Sequence, residues 1–299
     1  ETVFIKQKRR GGYGERQAVQ YTLDKGIRRG NNADAVKETG GASRAHKDWG
    51  RQLKRDRAFQ NKVMGMLRKN PDVNFNQAWI DKNWIHIKAL IQEVSGGGNC
   101  GDYAQIVHSQ LVANTKDQVV YEVVMAGAWD HQLCLTYPDK VSKLSAMNTE
   151  LATIADGWDN YMVVTLAKFL NGTNCYGATI TNLDTCPDCN GNTGRGCKPK
   201  CPGFLKIVAT QECDGEGGLP PSAKNQIEGL ISDLFEDWKD SDDYDQYLEK
   251  VKDDDRGIFD FPVSDDVVEK RSEDDIMTKL EALRESKAPT LKAEGGGLG

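Results

Sequence analysis

Between residues 96 and 167 one helical pattern is followed by four strand patterns, and this order limits the fold more than any other feature of the chain. After Gly96-Gly97-Gly98, the residues Tyr103, Ile106, Val107 and Leu111 recur at helical spacing and predict a helix from Cys100 to Ala113. The run Val119-Val120-Tyr121-Glu122-Val123-Val124-Met125-Ala126 is rich in β-branched residues and predicts a strand over 118–126. Further strands are expected over 131–137, 151–155 and 161–167. A helix that precedes its strands implies one α+β domain with the helix on a sheet.

The flanks read as helical. From Ser43 to Arg68 the residues Trp49, Leu53, Phe59, Val63, Met66 and Leu67 form an apolar stripe, which Pro71 ends. Phe75, Trp79, Ile80, Trp84, Ile87 and Leu90 predict a second helix over 75–92, with His86 beside its stripe. Beyond Pro220-Pro221, residues Ile227, Leu230, Ile231, Leu234 and Phe235 give an amphipathic helix over 222–239, and a last short helix is expected over 272–286. Residues 1–45, rich in Gly, Arg and Asn, read as a basic flexible arm with one short helix around 14–28. The expected organisation is therefore an arm over 1–45, a helical segment over 46–95, a catalytic core over 96–219 and an acidic helical segment over 220–299. The core carries a cysteine-rich insertion over 175–213.

Charge is distributed unevenly along the 299 residues: 18 Lys/Arg against 7 Asp/Glu over 1–70, and 11 against 24 over 214–299. The basic run Lys6 to Arg10 lacks the fold signature and interleaved aromatics of a nucleic-acid binder, so nucleic acid is not an expected partner. The acidic stretches Asp240–Asp245 and Asp253-Asp254-Asp255 lack the spacing of a calcium loop and read as solvated acid interrupting the helices. No apolar run approaches the roughly 20 residues of a membrane span, and the first residues carry no signal-peptide pattern. Gly96-Gly97-Gly98 lacks the lysine placement of a phosphate loop.

The chemistry centres on Gly98-Asn99-Cys100-Gly101-Asp102. A thiol at a helix start meets unpaired N–H groups and the positive end of the helix dipole, which favour its ionised form. The glycines on either side remove bulk near the sulfur, and the Cys100 N–H is the preferred oxyanion donor, with Asn99 and Gln92 as candidates for its companion. A nucleophilic thiol needs a base, and the base needs a third group to hold its tautomer. His108 lies eight residues further along the same helix, about 12 Å along the axis, which excludes direct transfer. His46 belongs to the basic arm, which leaves His131 at the start of the second strand. Alternation puts His131, Leu133, Leu135 and Tyr137 on one face, and that face is expected to meet the Cys100 helix. Asp156, at the end of a neighbouring strand, is the candidate orienter. Asp159 competes with it, Asp130 points to the opposite face, and Trp158 is expected to cover the His–Asp pair.

The set Gly98-Asn99-Cys100-Gly101-Asp102-Tyr103-Ala104, Asp130-His131 and Asp156-Gly157-Trp158 resembles the Cys-His-Asp superfamily of papain-like and transglutaminase-like enzymes. It is most similar to the glutamine deamidase and cysteine protease domains of bacterial toxins and secreted effectors. That resemblance implies a papain-like/transglutaminase-like core with the nucleophile at a helix N-terminus on an antiparallel sheet. It implies Cys100 as nucleophile, His131 as base and then acid, and Asp156 as orienter. It further implies a protein substrate, an immunity or delivery partner, and a chain secreted or delivered into a target cell. Gly157 stands where many relatives carry proline.

The eight cysteines divide in two: Cys100 and Cys134 stand apart, and six fall between 175 and 213. Cys186-Pro187-Asp188-Cys189 and Cys197-Lys198-Pro199-Lys200-Cys201 have the paired spacing of a four-cysteine structural zinc site. Cys175 and Cys213 bring the local count to six and equally allow three disulfides. Either arrangement staples the insertion, and catalysis by the thiol requires no cofactor.

Overall fold

A computed structural model of the protein describes residues 14–30, 33–126, 131–158, 162–172, 180, 182–186, 203–213, 215 and 218–252. The helix expected over 272–286 and the acidic stretch 253–255 lie outside the described residues, all of which fall in one unit, Glu1–Phe259. The fold is mixed α+β: a six-stranded sheet with helices beside it. In chain order the elements begin with α1 over 14–24, β1 (Arg28–Arg29), α2 (Ala33–Thr39), α3 (Ala42–Arg55), α4 (Arg57–Lys69), α5 (Gln77–Ser95) and β2 (Gly97–Gly98). Then come α6 (Cys100–Asn114), β3 (Val119–Ala126), β4 (His131–Tyr137), β5 (Thr153–Asp156), β6 (Met162–Thr165) and α7 (Leu166–Leu170). The last are β7 (Asn182–Leu183), β8 (Phe204–Glu212), α8 (Pro221–Lys239) and α9 (Asp242–Lys252).

Helix boundaries follow local capping. The single helix expected over 43–68 is two, because the extended backbone of Asp56 ends α3 while its side chain accepts from the Ala58 N–H at 2.8 Å and starts α4. Asn76 caps α5 in the same way through the Trp79 N–H, and Gly96, at φ 69°, ends it in the left-handed conformation that glycine adopts freely. The acidic stretch Asp240–Asp245 interrupts the helix as expected, since α8 ends at Lys239 with Asp240 as its C-cap, but it then starts a further helix. Asp242, Asp243 and Asp245 lie in the first turn of α9, where negative charge complements the helix dipole.

The strand order is β6-β5-β4-β3-β8-β7, antiparallel throughout except for the parallel β7–β8 pair. Strand β8, the central neighbour of β3, falls within the stretch read as a cysteine-rich insertion. Its pairing with β3 shifts register at Glu122/Val123, and Val208, skipped by the pairing, is an exposed large hydrophobic side chain. One face of the sheet buries Tyr121, Val123, Met125, Leu133, Leu135 and Ile154 beneath the segment that holds Leu144, Leu166 and Phe169. The other carries Val120, Cys134 and Ala155 against Ala104, Val107 and Leu111 of α6. A third cluster joins α3, α4, α5 and α8 through Trp49, Phe59, Leu67, Ile91, Ile227 and Phe235. Helix α6 thus lies between the sheet and α5, which explains why ten of its fifteen residues are buried.

Residues 14–30 are not a flexible arm. Ala18 and Val19 of α1 pack with Val107 and Leu111 of α6 and Val120 of β3, and β1 pairs in parallel with the glycine strand β2. Helix α1 also carries Glu15 into the interior, where Thr136 donates to Glu15 Oε1 and Oε2 has no hydrogen-bond partner among the described residues. Burial pushes the Glu15 carboxyl up from 4.5 to about 7, with the Thr136 hydrogen bond opposing the rise. An acid whose folded-state pKa is raised contributes its full stability below 4.5 and loses it as pH rises through 7. Glu15→Gln should therefore gain stability over the wild type by roughly 2–3 kcal/mol between pH 5 and pH 8. Urea unfolding at both pH values checks this, and a stability difference that stays constant with pH contradicts it.

Candidate active site

The segment before Cys100 is shaped by close packing. A Cβ on Gly97 would lie 2.5 Å from the Ser43 carbonyl oxygen and 2.9 Å from the Lys47 nitrogen, both in α3. One on Gly98 would lie 2.9 Å from the Asp102 Cβ, and one on Gly101 would lie 3.0 Å from Gln132 Oε1. The glycines are therefore required by neighbouring backbone and side chains as well as by access to the sulfur. Asn99 caps α6: its side chain accepts from the Asp102 N–H at 3.3 Å, and Asp102 Oδ2 accepts from the Asn99 N–H at 3.0 Å.

Asp102 is held in turn by Lys54 at 2.8 Å and Arg51 at 3.5 Å. Burial alone would raise the Asp102 pKa, but Lys54 and Arg51 outweigh it and hold the carboxyl below its ordinary value. Cys100, the first residue of the helix so anchored, is a half-buried free thiol.

His131 and Asp156 are 2% and 1% exposed, with His131 Nε2 at 2.6 Å from Asp156 Oδ2. Asp156 Oδ1 accepts from the Trp158 N–H at 2.9 Å, so both carboxyl oxygens are engaged. Cys100 acts on the same imidazole through a side-chain hydrogen bond and its charge, while Nε2 is turned to Asp156. Burial by itself would lower the His131 pKa, but Asp156, followed by Cys100, reverses this and lifts it to about 10. The imidazole is therefore held as a cation at neutral pH beside the sulfur, the partner a thiolate needs.

The site thus brings Cys100, His131, Asp156, Asn99 and Trp158 together. Trp158 is half-buried, its ring meeting Tyr103 edge-on at 5.2 Å and the Arg29 guanidinium at 4.8 Å. Gln92 is fully buried, and its Nε2 donates to the Gly97 carbonyl at 2.7 Å, which pins the glycine strand. Asp130 and Asp159 are outside the described residues, as are Cys175, Cys189, Cys197 and Cys201. Cys186 is buried, and Cys213 is half-buried at the end of β8. Among the described residues no three His, Cys, Asp or Glu side chains are grouped to hold a metal ion.

One expectation about β4 is reversed. The face that meets α6 is that of Gln132, Cys134 and Thr136, since the Cys134 thiol donates to the Ala104 carbonyl at 3.0 Å while Leu133, Leu135 and Tyr137 pack on the far side. His131, the first residue of the strand and paired with Met125 of β3, meets Asp156 at this end of the sheet. The other histidines are engaged elsewhere. His108 pairs with Glu122 at 2.6 Å, His86 with Ser109 at 2.7 Å, and His46 is pushed down to about 4 by burial among Phe235, Trp238 and Tyr244.

Sequence patterns gave no sign of the charged groups behind the site. Lys54 lies on a helix read only for its apolar stripe, and Arg29 in a stretch read as an arm. Comparisons with protein-family models, curated proteins and solved structures found no match to the chain.

Asp156→Asn should return the His131 pKa toward its ordinary value, because it removes the largest influence that raises it. The NMR titration of His131 should then move down into the neutral range. Iodoacetamide modification of Cys100 at pH 6 should slow by about 10-fold. An unchanged titration and rate would show that Asp156 does not govern the pair.

Proposed function

We propose that the protein is a cysteine-dependent acyl-transfer enzyme of papain-like or transglutaminase-like fold that deamidates glutamine side chains of a protein substrate. The observation that carries this reading is the Cys100 thiol at the start of a buried helix, hydrogen-bonded to a His131 imidazole that Asp156 holds at 2.6 Å. These are the three roles of nucleophile, base and orienter.

In the proposed cycle the Cys100 thiolate attacks the carboxamide carbon and forms an S–C bond. The Cys100 backbone N–H faces the oxygen that gains charge. The C–N bond then breaks, and the His131 imidazolium gives its proton to the departing ammonia. Water attacks the thioester, His131 takes one of its protons, and cleavage of the S–C bond releases the new carboxyl group, whose remaining proton goes to solvent, and restores the thiolate–imidazolium pair. A main-chain amide in place of the side chain makes the same cycle a proteolysis, and an amine in place of water makes it a transglutamination.

The reading extends to a chain that is secreted or delivered into a target cell as a toxin or effector, with an immunity or delivery partner. No helix among the described residues is long and apolar enough to cross a membrane. Stapling of the cysteine-rich stretch by zinc or by disulfides belongs to the same reading.

Incubating the full chain with a panel of cell proteins should release ammonia and add about one dalton per modified glutamine, the mark of amide-to-acid conversion. Cys100→Ala should lower that rate by roughly 10⁴-fold and His131→Ala by roughly 10³-fold, while both variants keep the wild-type circular dichroism. Fragments would make the enzyme a protease, and crosslinked adducts would make it a transglutaminase. A Cys100→Ala variant as active as the wild type would end the enzyme reading.

A further inference from the structure

The active-site residues come from two parts of the chain, the helix start at Cys100 and the ends of strands β4 and β5. Strand β1 is paired with the glycines immediately before Cys100: the Arg28 N–H donates to the Gly96 carbonyl at 2.9 Å, and the Gly30 N–H donates to the Gly98 carbonyl at 2.8 Å. Arg29 lies between these two bonds in sequence. Its guanidinium donates to the Trp158 carbonyl and lies over the Trp158 ring, 4.8 Å from the centroid. The Trp158 N–H donates to Asp156 Oδ1, and Asp156 Oδ2 engages His131. The ring of Trp158 also meets Tyr103, one turn into the Cys100 helix. The Tyr103 hydroxyl donates to the Ile27 carbonyl, at the foot of β1.

The geometry points to Arg29 as a positioning residue for the Cys100–His131–Asp156 triad. It ties the nucleophile strand to the loop that orients Asp156. The connections form a closed circuit, from Gly98 through β1 to Arg29, then Trp158, Asp156, His131 and back to Cys100. Arg29 supplies two contacts to one residue, a hydrogen bond and a stacked cation, so it restrains both the carbonyl and the ring of Trp158. When both are held, the Trp158 N–H stays aimed at Asp156, and Asp156 fixes the imidazole that faces the sulfur. A shift of about 1 Å in such a chain is enough to cost roughly 100-fold in a reaction that depends on alignment. The acyl-transfer reading gives this arrangement its purpose, but the positioning itself can be measured without any substrate.

The test is the pH profile of Cys100 modification by iodoacetamide in the full chain, followed by mass spectrometry of the Cys100 peptide. Wild type is compared with Arg29→Lys, Arg29→Gln and Arg29→Ala, each checked for folding by thermal unfolding. Arg29→Gln and Arg29→Ala should slow modification at pH 6.5 by about 10-fold and move the rise of the profile to higher pH. Arg29→Lys, which keeps a cation over the ring but loses the planar fork, should fall between them and the wild type. Any folded Arg29 variant whose profile superimposes on that of the wild type overturns the proposal, even if its melting temperature is lower. The lysine variant provides this decision if the other two do not fold. Shifted profiles without ammonia release from any substrate would sustain Arg29 as a positioning residue and remove the deamidase reading. Ammonia release with unshifted profiles would do the reverse.

Discussion

The arrangement of the site depends on one buried ion pair, His131 with Asp156. Taking an imidazolium and a carboxylate out of water is costly, and the pair is tolerated only where geometry is close and the remaining hydrogen-bonding capacity is filled. Both conditions hold. The two atoms are 2.6 Å apart, and the second carboxyl oxygen accepts from the Trp158 backbone. This places demands on elements well beyond the pair. Strands β4 and β5 must be adjacent, with Cys134 opposite Ala155, so that His131 and Asp156 project from neighbouring strand ends. Residue 157 must be small, since a Cβ there would lie 3.0 Å from the Val107 side chain of α6.

The second anchor is the start of α6. Asp102 serves as the reciprocal half of the capping box and as the counter-ion of buried Lys54, which also donates to Gln105 at 2.8 Å. A carboxylate in the first turn suits the helix dipole, and its fixation from α3 orients the turn that carries Cys100. The helix behind the thiol contains a second buried pair, His108 with Glu122, and Glu122 also accepts from Gln132 at 2.7 Å. Gln132 follows His131 in sequence and lies against Gly101. Polar side chains thus brace the junction of α6, β3 and β4.

Much of this was legible before any coordinates. The apolar period from Tyr103 to Leu111, the β-branched run at 119–126 and the apolar run at 131–137 produce the elements they predict, because their apolar side chains are covered on both faces of the sheet and along the helix. The positions of Cys100 at a helix start and of His131 and Asp156 at strand ends follow from the same patterns. Other features left weaker traces. Strand β8 was hidden because Phe204 to Thr210 adjoins a cysteine-rich stretch whose spacing dominates the reading. The Gly, Arg and Asn content of residues 14–30 points to an arm, yet two small apolar residues, Ala18 and Val19, dock α1 on α6 and β3. The face of β4 that meets α6 was read the wrong way, since alternation assigns residues to two faces without saying which one is covered by which element.

The sequence by itself determined most of the helices and the strands β3 to β6, and it placed Cys100 at a helix start with His131 and Asp156 at strand ends. Those properties depend on neighbours a few residues away, through periodicity, capping and intrinsic reactivity. Tertiary structure alone decided that β8 lies beside β3, that Lys54 meets Asp102, and that Arg29 reaches Trp158. Each of these contacts joins residues tens to more than a hundred positions apart. It is set by how whole faces pack and by the need of buried charges for partners, and neither is encoded in any one stretch of chain.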